Sequence, residues 1–523
     1  MDDAAVTLIV LAAAVVLFVW NRLPIAVVAL AVALALYATG VVSLEQALAG
    51  FGDPTVLFIA SLFVIAEALD AAGVTTWAGQ RLVRAARSEP ARLVAFVLIL
   101  CAVLSAVITP NGAVAALVPM MVVIATRLGR PPSKLLMPLA FGAHAGSLLV
   151  LTGSPVNILV SDAAANAGAG RFGFFEFALV GLPLVAGTVV LALVLGDRLL
   201  PDRRARSLPP DFTQHAHTLV EQYGLQPREV PEELFTRDAG LAEVVVAPRS
   251  PLIGQRVFPG MVTESGELVV LSARRQGEEP ATPELVLAAG DALLVEGSWR
   301  VLDERLEPAE VLVVDPPEAV RRQAVALGPG ARRTLAVTAA FVAVLAAGVV
   351  PPAVAGIGAA MALVLVGALD AEQAFRSVSW TTVVLIAGLI PLSEAIRTTG
   401  AADDLAGLLV DVVGGSSPHL LLVGMFVLAA GFGIAVSNTA TALILIPVGL
   451  SAAAELDVSV APVLMCIAVA CAAAFLTPIS TPGNMMVMGP GGYRFGDYWR
   501  FGLPFIALFF VVAVFLVPVV WSF

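Results

Sequence analysis

Long apolar runs recur along this chain and are punctuated by short polar or Pro/Gly-rich interruptions. The runs at about 5–20, 24–40, 54–74 and 176–197 are long enough to cross a bilayer. Ala91 to Arg127 is equally apolar but breaks at Ile108-Thr109-Pro110-Asn111-Gly112. That leaves arms of about 16 residues, or ~24 Å, against a hydrocarbon core of about 30 Å. Such a segment reads as a re-entrant hairpin that returns to the side it entered from. A further span is broken near Gly153. The pattern repeats between Arg333 and Phe523, with interruptions at Ser437-Asn438-Thr439 and at Ile479-Ser480-Thr481-Pro482-Gly483-Asn484. Ser, Asn and Thr are helix-capping residues, so each interruption reads as a helix start inside a hydrophobic segment.

The two halves are related. Pro24 to Phe51 parallels Pro351 to Val378, with Glu45 matching Glu372, and farther on Glu67 matches Glu394, Gly73 matches Gly400 and Asn157 matches Asn484. The offset stays at about 327 residues, and a repeat in a membrane protein points to a secondary transporter with its site between corresponding broken segments. In the first half the segment that follows the third span carries Arg81, Arg84, Arg87, Arg92, Arg127, Arg130 and Lys134. Its counterpart, Thr398 to Val460, carries Asp403, Asp404, Asp411, Glu455 and Asp457 and no Lys or Arg. By the positive-inside rule these segments face opposite sides, so the repeats are inverted. The expected organisation is repeat 1 over residues 1–200, a cytoplasmic insertion over 201–330 and repeat 2 over 331–523. The N-terminus is placed outside, and the protein is expected in the cell (plasma or inner) membrane. The fold class is an all-α polytopic membrane protein of two inverted repeats with re-entrant hairpins and broken helices, plus a small cytoplasmic α/β domain.

Composition agrees. A hydrophobic fraction of 59%, mean hydropathy of +0.94 and 13% charged residues exclude an ordinary soluble enzyme. Met1-Asp2-Asp3 supplies no positive region, so the first run reads as a retained span and not a cleaved signal. The net charge of −11 does not suggest a nucleic-acid partner. Cys101, Cys466 and Cys471 read as small buried hydrophobes, and His144 as a satisfied interior histidine. Neither a nucleophile–base pair nor a His-Glu-x-x-His pattern argues for an enzyme.

Within the insertion, EVVVAP, LVVLSARR and DALLVEGS alternate with turn residues, the signature of a small α/β module. SPLIGQRV and LAAGDALLVEGS resemble the C-terminal regulatory subdomain of TrkA-type proteins, over about 238–306. That resemblance implies a ligand-sensing or dimerising role with a small-molecule effector, a nucleotide or an ion; a spacer or assembly module that binds nothing is the alternative.

The four breaks carry the chemistry. Helix N-termini aim N–H groups and positive dipole ends at an anion, while unwound carbonyls and Asn or Ser oxygens suit a hard cation such as Na+. Neither Lys nor Arg nor Asp nor Glu sits at any break, so an anion held there would depend on a co-bound cation. SNTATALILIP followed by STPGN, with TGSPVN in the first half, resembles the divalent-anion/sodium symporter family of the wider ion-transporter superfamily, which includes citrate and sulfate transporters. The resemblance implies an elevator-type homodimer coupled to Na+ and moving sulfate or dicarboxylates. By this resemblance Ser437, Asn438 and Thr439 contact substrate, with Thr481 opposite, and in the first half Thr109, Pro110, Asn111 and Ser154 do so. Na+ would be held by Ser105, Thr109, Asn111 and Gly153 at one site and by Gly433, Asn438 and Ser480 at the other. The first tip departs from Ser-Asn-Thr, and Gly433 lacks the hydroxyl its site could use. A cation/proton antiporter or metalloid exporter of the same superfamily is the alternative; it would want an intramembrane carboxylate, for which Asp162 and Asp70 are the candidates. A TrkA-regulated channel would need a TVGYG-like filter, which the sequence does not contain. Glu67 and Glu394 read as solvated or scaffold-pairing groups.

Overall fold

The computed structural model describes residues 2–20, 22–74, 76–78, 81, 90–127, 130–203, 239–263, 266–275, 284–306, 311–314, 317, 320, 327–328, 330–413, 417–434 and 436–523. Arg84, Arg87 and the first part of the insertion therefore lie outside the described residues. The chain divides into two compact units, one built from Met1–Ala68, Leu82–Leu208 and Arg333–Phe523, the other from Leu69–Arg81 and Pro209–Arg332.

The first unit is helical. Its leading half comprises α1 (Asp3–Trp20), α2 (Ile25–Ala38), α3 (Leu44–Leu48), α4 (Pro54–Ala71), α5 (Pro90–Val107), α6 (Pro110–Arg127), α7 (Leu136–Gly146), α8 (Pro155–Asn166) and α9 (Ala178–Leu199). After α10 (Trp299–Leu306) of the second unit come α11 (Ala331–Ala347), α12 (Pro352–Leu365), α13 (Ala371–Ser377), α14 (Trp380–Thr398) and α15 (Ala401–Val413). They are followed by α16 (Pro418–Phe432), α17 (Asn438–Glu455), α18 (Val460–Ala472), α19 (Pro482–Met488) and α20 (Phe495–Val511). A π-helical turn, Val512–Leu516, carries α20 on to Val520. Six helical stretches among the described residues have the length and hydropathy of a membrane span.

The repeat is visible in local hydrogen bonding. The helices α2 and α12 begin and end 327 residues apart. The short helices α3 and α13, which hydropathy alone did not reveal, open on matched capping boxes, Ser43 with Gln46 and Asp370 with Gln373. Each box satisfies two otherwise orphaned backbone donors.

The last helices of the two halves, α9 and α20, pack together in antiparallel fashion. Just past the end of α9, Arg203 donates to the Asp497 carboxylate in the first turn of α20 at 2.7 Å and to the Gly492 carbonyl at 2.9 Å. At the other end Trp521 Nε1 donates to Glu176, just before α9, at 2.7 Å. Lys134 Nζ caps the α9 C-terminus by donating to the carbonyls of Asp197 and Leu200, the position where a cation is stabilised by the helix dipole. Antiparallel pairing of corresponding helices is what an inverted repeat requires.

The second unit holds a five-stranded sheet in the order β3-β4-β6-β1-β7, where β1 is Ala239–Val246, β3 Met261–Val262, β4 Leu268–Arg274, β6 Ala292–Ser298 and β7 Val311–Val313. A separate pair joins β2 (Arg256–Val257) to β5 (Leu285–Val286). The apolar runs EVVVAP, LVVLSARR and DALLVEGS contribute β1, β4 and β6, paired antiparallel. Their buried residues, Val244, Val246, Val270 and Val295 among them, share a core with Trp299 and Leu302 of α10 (Trp299–Leu306). Asp291 enters β6 almost fully buried and is held by Arg275 through two hydrogen bonds, at 2.7 and 2.8 Å.

Candidate functional site

Each of the four interruptions ends in a hydroxyl residue that caps a new helix. Thr109 Oγ1 accepts from the Gly112 N–H at 3.3 Å, Ser154 Oγ from Val156 at 3.2 Å, Ser437 Oγ from Ala440 at 3.3 Å and Thr481 Oγ1 from Asn484 at 3.3 Å. Three of the helices, α6, α8 and α19, open with proline as their first residue: Pro110, Pro155 and Pro482. A proline there forfeits an N–H that has no intrahelical partner anyway. The fourth, α17, opens with Asn438.

The hairpins thus differ in detail from their sequence reading. Pro110, Asn111 and Gly112 form the first turn of α6 and are not part of an unwound tip; only Ile108 and Thr109 separate two 18-residue arms. At the helical rise each arm is ~27 Å, longer than the sequence reading gave and close to the thickness of the hydrocarbon core. Thr109 adopts φ of 130°, a backbone conformation that β-branched residues rarely adopt. Likewise Pro155 to Asn157 and Pro482 to Asn484 are helical, and the unwound segments precede them, at 147–154, which includes a short 3-10 turn over Leu151–Gly153, and at 473–481.

Two asparagines brace these segments through equivalent carbonyls, and Asn484 Nδ2 also lies 3.2 Å from Ser480 Oγ. Asn157 Nδ2 donates to the carbonyls of Ser147 (2.8 Å) and Val150 (3.0 Å). Asn484 Nδ2 donates to Ala474 (2.7 Å) and Thr477 (3.1 Å), each partner 327 residues from its counterpart. A glycine presses on each loop from the closing helices. A Cβ on Gly181 would sit 2.1 Å from the Leu148 carbonyl oxygen, and one on Gly502 would sit 2.4 Å from that of Phe475. Leu148 and Phe475 are again 327 apart. Sequence reading matched Asn157 to Asn484 but gave neither a role, and it missed both glycines.

Cross-links run between the halves. Asn111 Oδ1 accepts from the Gly483 N–H at 3.0 Å, tying the first hairpin to the second break. His144 on α7 is buried, with Nε2 3.2 Å from Thr481 Oγ1 and 3.4 Å from Asn484 Oδ1, and its ring stands edge-on to Phe475. It is a satisfied interior histidine, but one whose partners belong to the other repeat. Tyr498 donates to the Asn484 carbonyl at 2.6 Å, and Tyr493 accepts from the Met137 N–H while donating to Ser133.

Beside this braced frame lie side-chain oxygens with no hydrogen-bond partner. Ser105 Oγ is fully buried one turn before the first tip, near the weakly donating Cys101 thiol. Asn438 Oδ1 at the second tip, Thr441 Oγ1 one turn farther along α17, and Asn157 Oδ1 are buried and unpartnered as well. An unsatisfied buried oxygen costs about 1–3 kcal/mol. Gly433, Thr477 and Ser480 line one small cleft together with the carbonyl-rich stretch Ala473 to Leu476. Gly153 is buried within the first unwound segment, and Thr439 is half-buried in the first turn of α17.

The remaining candidates are engaged elsewhere. Asp162 accepts from Thr55 Oγ1 at 2.6 Å and pairs with Arg171 at 3.0 Å, and Glu394 pairs with Arg397 at 2.6 Å on an exposed face. All three cysteines are buried free thiols. Among the described residues no three His, Cys, Asp or Glu side chains converge as a metal site.

Comparison with known proteins agrees with this architecture. The family model described as "Citrate transporter" matches residues 15–416 and 409–523. The uncharacterized transporter YfbS of Escherichia coli is 30% identical, over 98% of each chain. A probable sodium/sulfate cotransporter 3 of Chlamydomonas reinhardtii is 25% identical over 53% of this chain and 32% of its own length. The solved structure of the Alcanivorax borkumensis YdaH transporter superposes with a TM-score of 0.50 at 16% identity, covering 97% of this chain and 98% of that one, a likeness of fold alone. Two halves with matched broken helices, spans of membrane length and family matches running from Val15 to Phe523 lead to one conclusion: this chain is a multi-pass membrane transporter belonging to the citrate transporter family of the ion-transporter superfamily.

Proposed function

We propose that the protein is a Na+-coupled symporter of a small divalent anion, sulfate or a C4-dicarboxylate, working by an elevator motion of the hairpin-bearing helices within a homodimer. The observation that carries this reading is the pair of buried, unpartnered oxygens, Ser105 Oγ and Asn438 Oδ1, one beside each hairpin tip. Hard oxygen donors without a proton donor suit a cation, and a bound Na+ would remove the cost of leaving them unsatisfied. Gly433 and Ser480, sharing a cleft, supply backbone and hydroxyl oxygens to the second of these positions. Thr109, Asn111 and Gly153 would complete the first. The anion is then held by the starts of α6, α8 and α17 and by the hydroxyls of Ser154, Ser437, Thr439 and Thr481, with the cations supplying the positive charge that no side chain provides. The name of the sodium/sulfate relative supports the same ion pair at low identity. Residues 238–306 are proposed as a regulatory module that takes a small-molecule effector.

The test is uptake of labelled sulfate, succinate and citrate into proteoliposomes under imposed Na+ and H+ gradients. Uptake of one anion driven by Na+ and abolished by Ser105→Ala with Asn438→Ala supports the reading. Uptake driven equally well with no Na+ present refutes the coupling.

A further inference from the structure

The two breaks are built alike but finished differently. Both asparagines spend their amide N–H groups on two loop carbonyls, which fixes the orientation of each amide and leaves Oδ1 pointing away from the loop. In the first break that oxygen, Asn157 Oδ1, is buried with no partner. In the second it faces the ring of His144 at 3.4 Å. A carbonyl oxygen only accepts, so His144 Nε2 carries the proton there. The same nitrogen lies 3.2 Å from Thr481 Oγ1, whose lone pair already caps α19. The position that corresponds to His144 in the second half, 327 residues on, is Cys471, which has no comparable reach. One ring from the first repeat therefore completes the polar network of the second, and the first has no equivalent.

We propose that His144 is a positioning residue for the second break. Through Asn484 and Thr481 it holds the 473–481 segment in the shape that lines the cleft with Gly433 and Ser480, making that half of the site stiff while the half around Asn157 stays adaptable. The functional consequence rests on the Na+-coupled reading above; the structural one does not. Hydrogen exchange on the full-length protein reads the structural claim directly. His144→Leu removes the donor and should speed exchange at least tenfold across 473–481 while leaving 147–154 unchanged. His144→Gln, which keeps an N–H donor of similar reach, should restore protection. Equal exchange in His144→Leu and wild type, or equal loosening of both segments, would overturn the proposal. If His144→Leu does not fold, His144→Asn, too short to reach Asn484, takes its place against the same Gln control.

Transport supplies the second readout. His144→Leu should raise the Na+ concentration for half-maximal uptake about tenfold with little change in the maximal rate, and His144→Gln should return it to within about twofold of wild type. A fall in maximal rate shared by Leu and Gln, with unchanged Na+ dependence, would mean the ring acts only through packing, against the proposal. Should the wild type itself show no Na+ dependence, the coupling reading fails alone, and hydrogen exchange still decides the role of His144.

Discussion

Placing a methyl group on Gly502 or Gly181 is the sharpest probe of the frame behind the site. The added Cβ would lie 2.4 Å from the Phe475 carbonyl oxygen in one case and 2.1 Å from that of Leu148 in the other, whereas ordinary contact starts at 3.4 Å. The obstacle is backbone held by Asn484 or Asn157, so relief requires moving an unwound segment by ~1 Å or parting α20 or α9 from it. Overpacking of this kind costs about 1–3 kcal/mol, and a shift of ~1 Å at a binding loop costs up to about 100-fold in rate. Gly187 on the same helix is the control. Its Cβ would come within 2.6 Å of Leu508, but only of side-chain methyls that can rotate away. Thermal unfolding in detergent and uptake should therefore rank Gly187→Ala near wild type and Gly181→Ala and Gly502→Ala well below it. Equal effects of all three alanines would show that α9 and α20 dislike any added bulk, and the argument from loop carbonyls would be wrong.

Four other outcomes follow from the same geometry. Ser105→Ala deletes an orphaned hydroxyl, so without Na+ it should be as stable as wild type or up to ~1 kcal/mol more stable, while losing the stabilisation by Na+ that the proposed coupling implies; thermal shift with and without Na+ checks both. Thr109→Gly exchanges a β-branched residue at φ 130° for one that tolerates it; the relief of about 1–3 kcal/mol outweighs the few tenths lost at the cap, so its melting temperature should rise. Arg203→Ala leaves the mostly buried Asp497 carboxylate without its charged partner and should cost about 1–3 kcal/mol, most of it recovered in Arg203→Ala with Asp497→Ala. In the second unit, burial pushes the Asp291 carboxyl up, but Arg275 and the Ala288 N–H outweigh it and hold it below the usual range. Its stabilisation is thus present above the unfolded-state value and lost as pH falls through the folded one; resistance of 239–306 to an acid-tolerant protease should separate wild type from Asp291→Asn near neutrality and converge in strong acid.

Much of this was legible in the sequence because the bilayer limits the choices. Apolar length places the spans, and a cluster of Pro, Gly and capping residues inside a span points to a break lining protected space. The repeat of Asn157 as Asn484 and the shared Glu-Gln-Ala gave the two-fold design before any coordinate. What escaped was local or long-range in specific ways. Pro110 looked like a helix breaker, yet proline fits the first helical position, so the helix starts one residue after Thr109. The helices α3 and α13 are too short to register as hydropathy. Gly181 and Gly502 are 321 residues apart, off the repeat offset, and so were invisible to it. The bond from His144 to Asn484 spans 340 residues, and one histidine in an apolar run carries no sign of its partner.

The prolines at three of the four helix starts bear on which break can change. The residue before a proline is disfavoured in the helical region, so drawing Thr109, Ser154 or Thr481 into the helix it precedes is costly. At those three breaks the proline resists rewinding of the unwound stretch from that end. The start of α17 has no such stop. Ser437 and Val436 can join or leave the helix without meeting a proline. Among the four breaks the second hairpin tip is thus the one whose helix start carries no proline, and motion at the site should begin there.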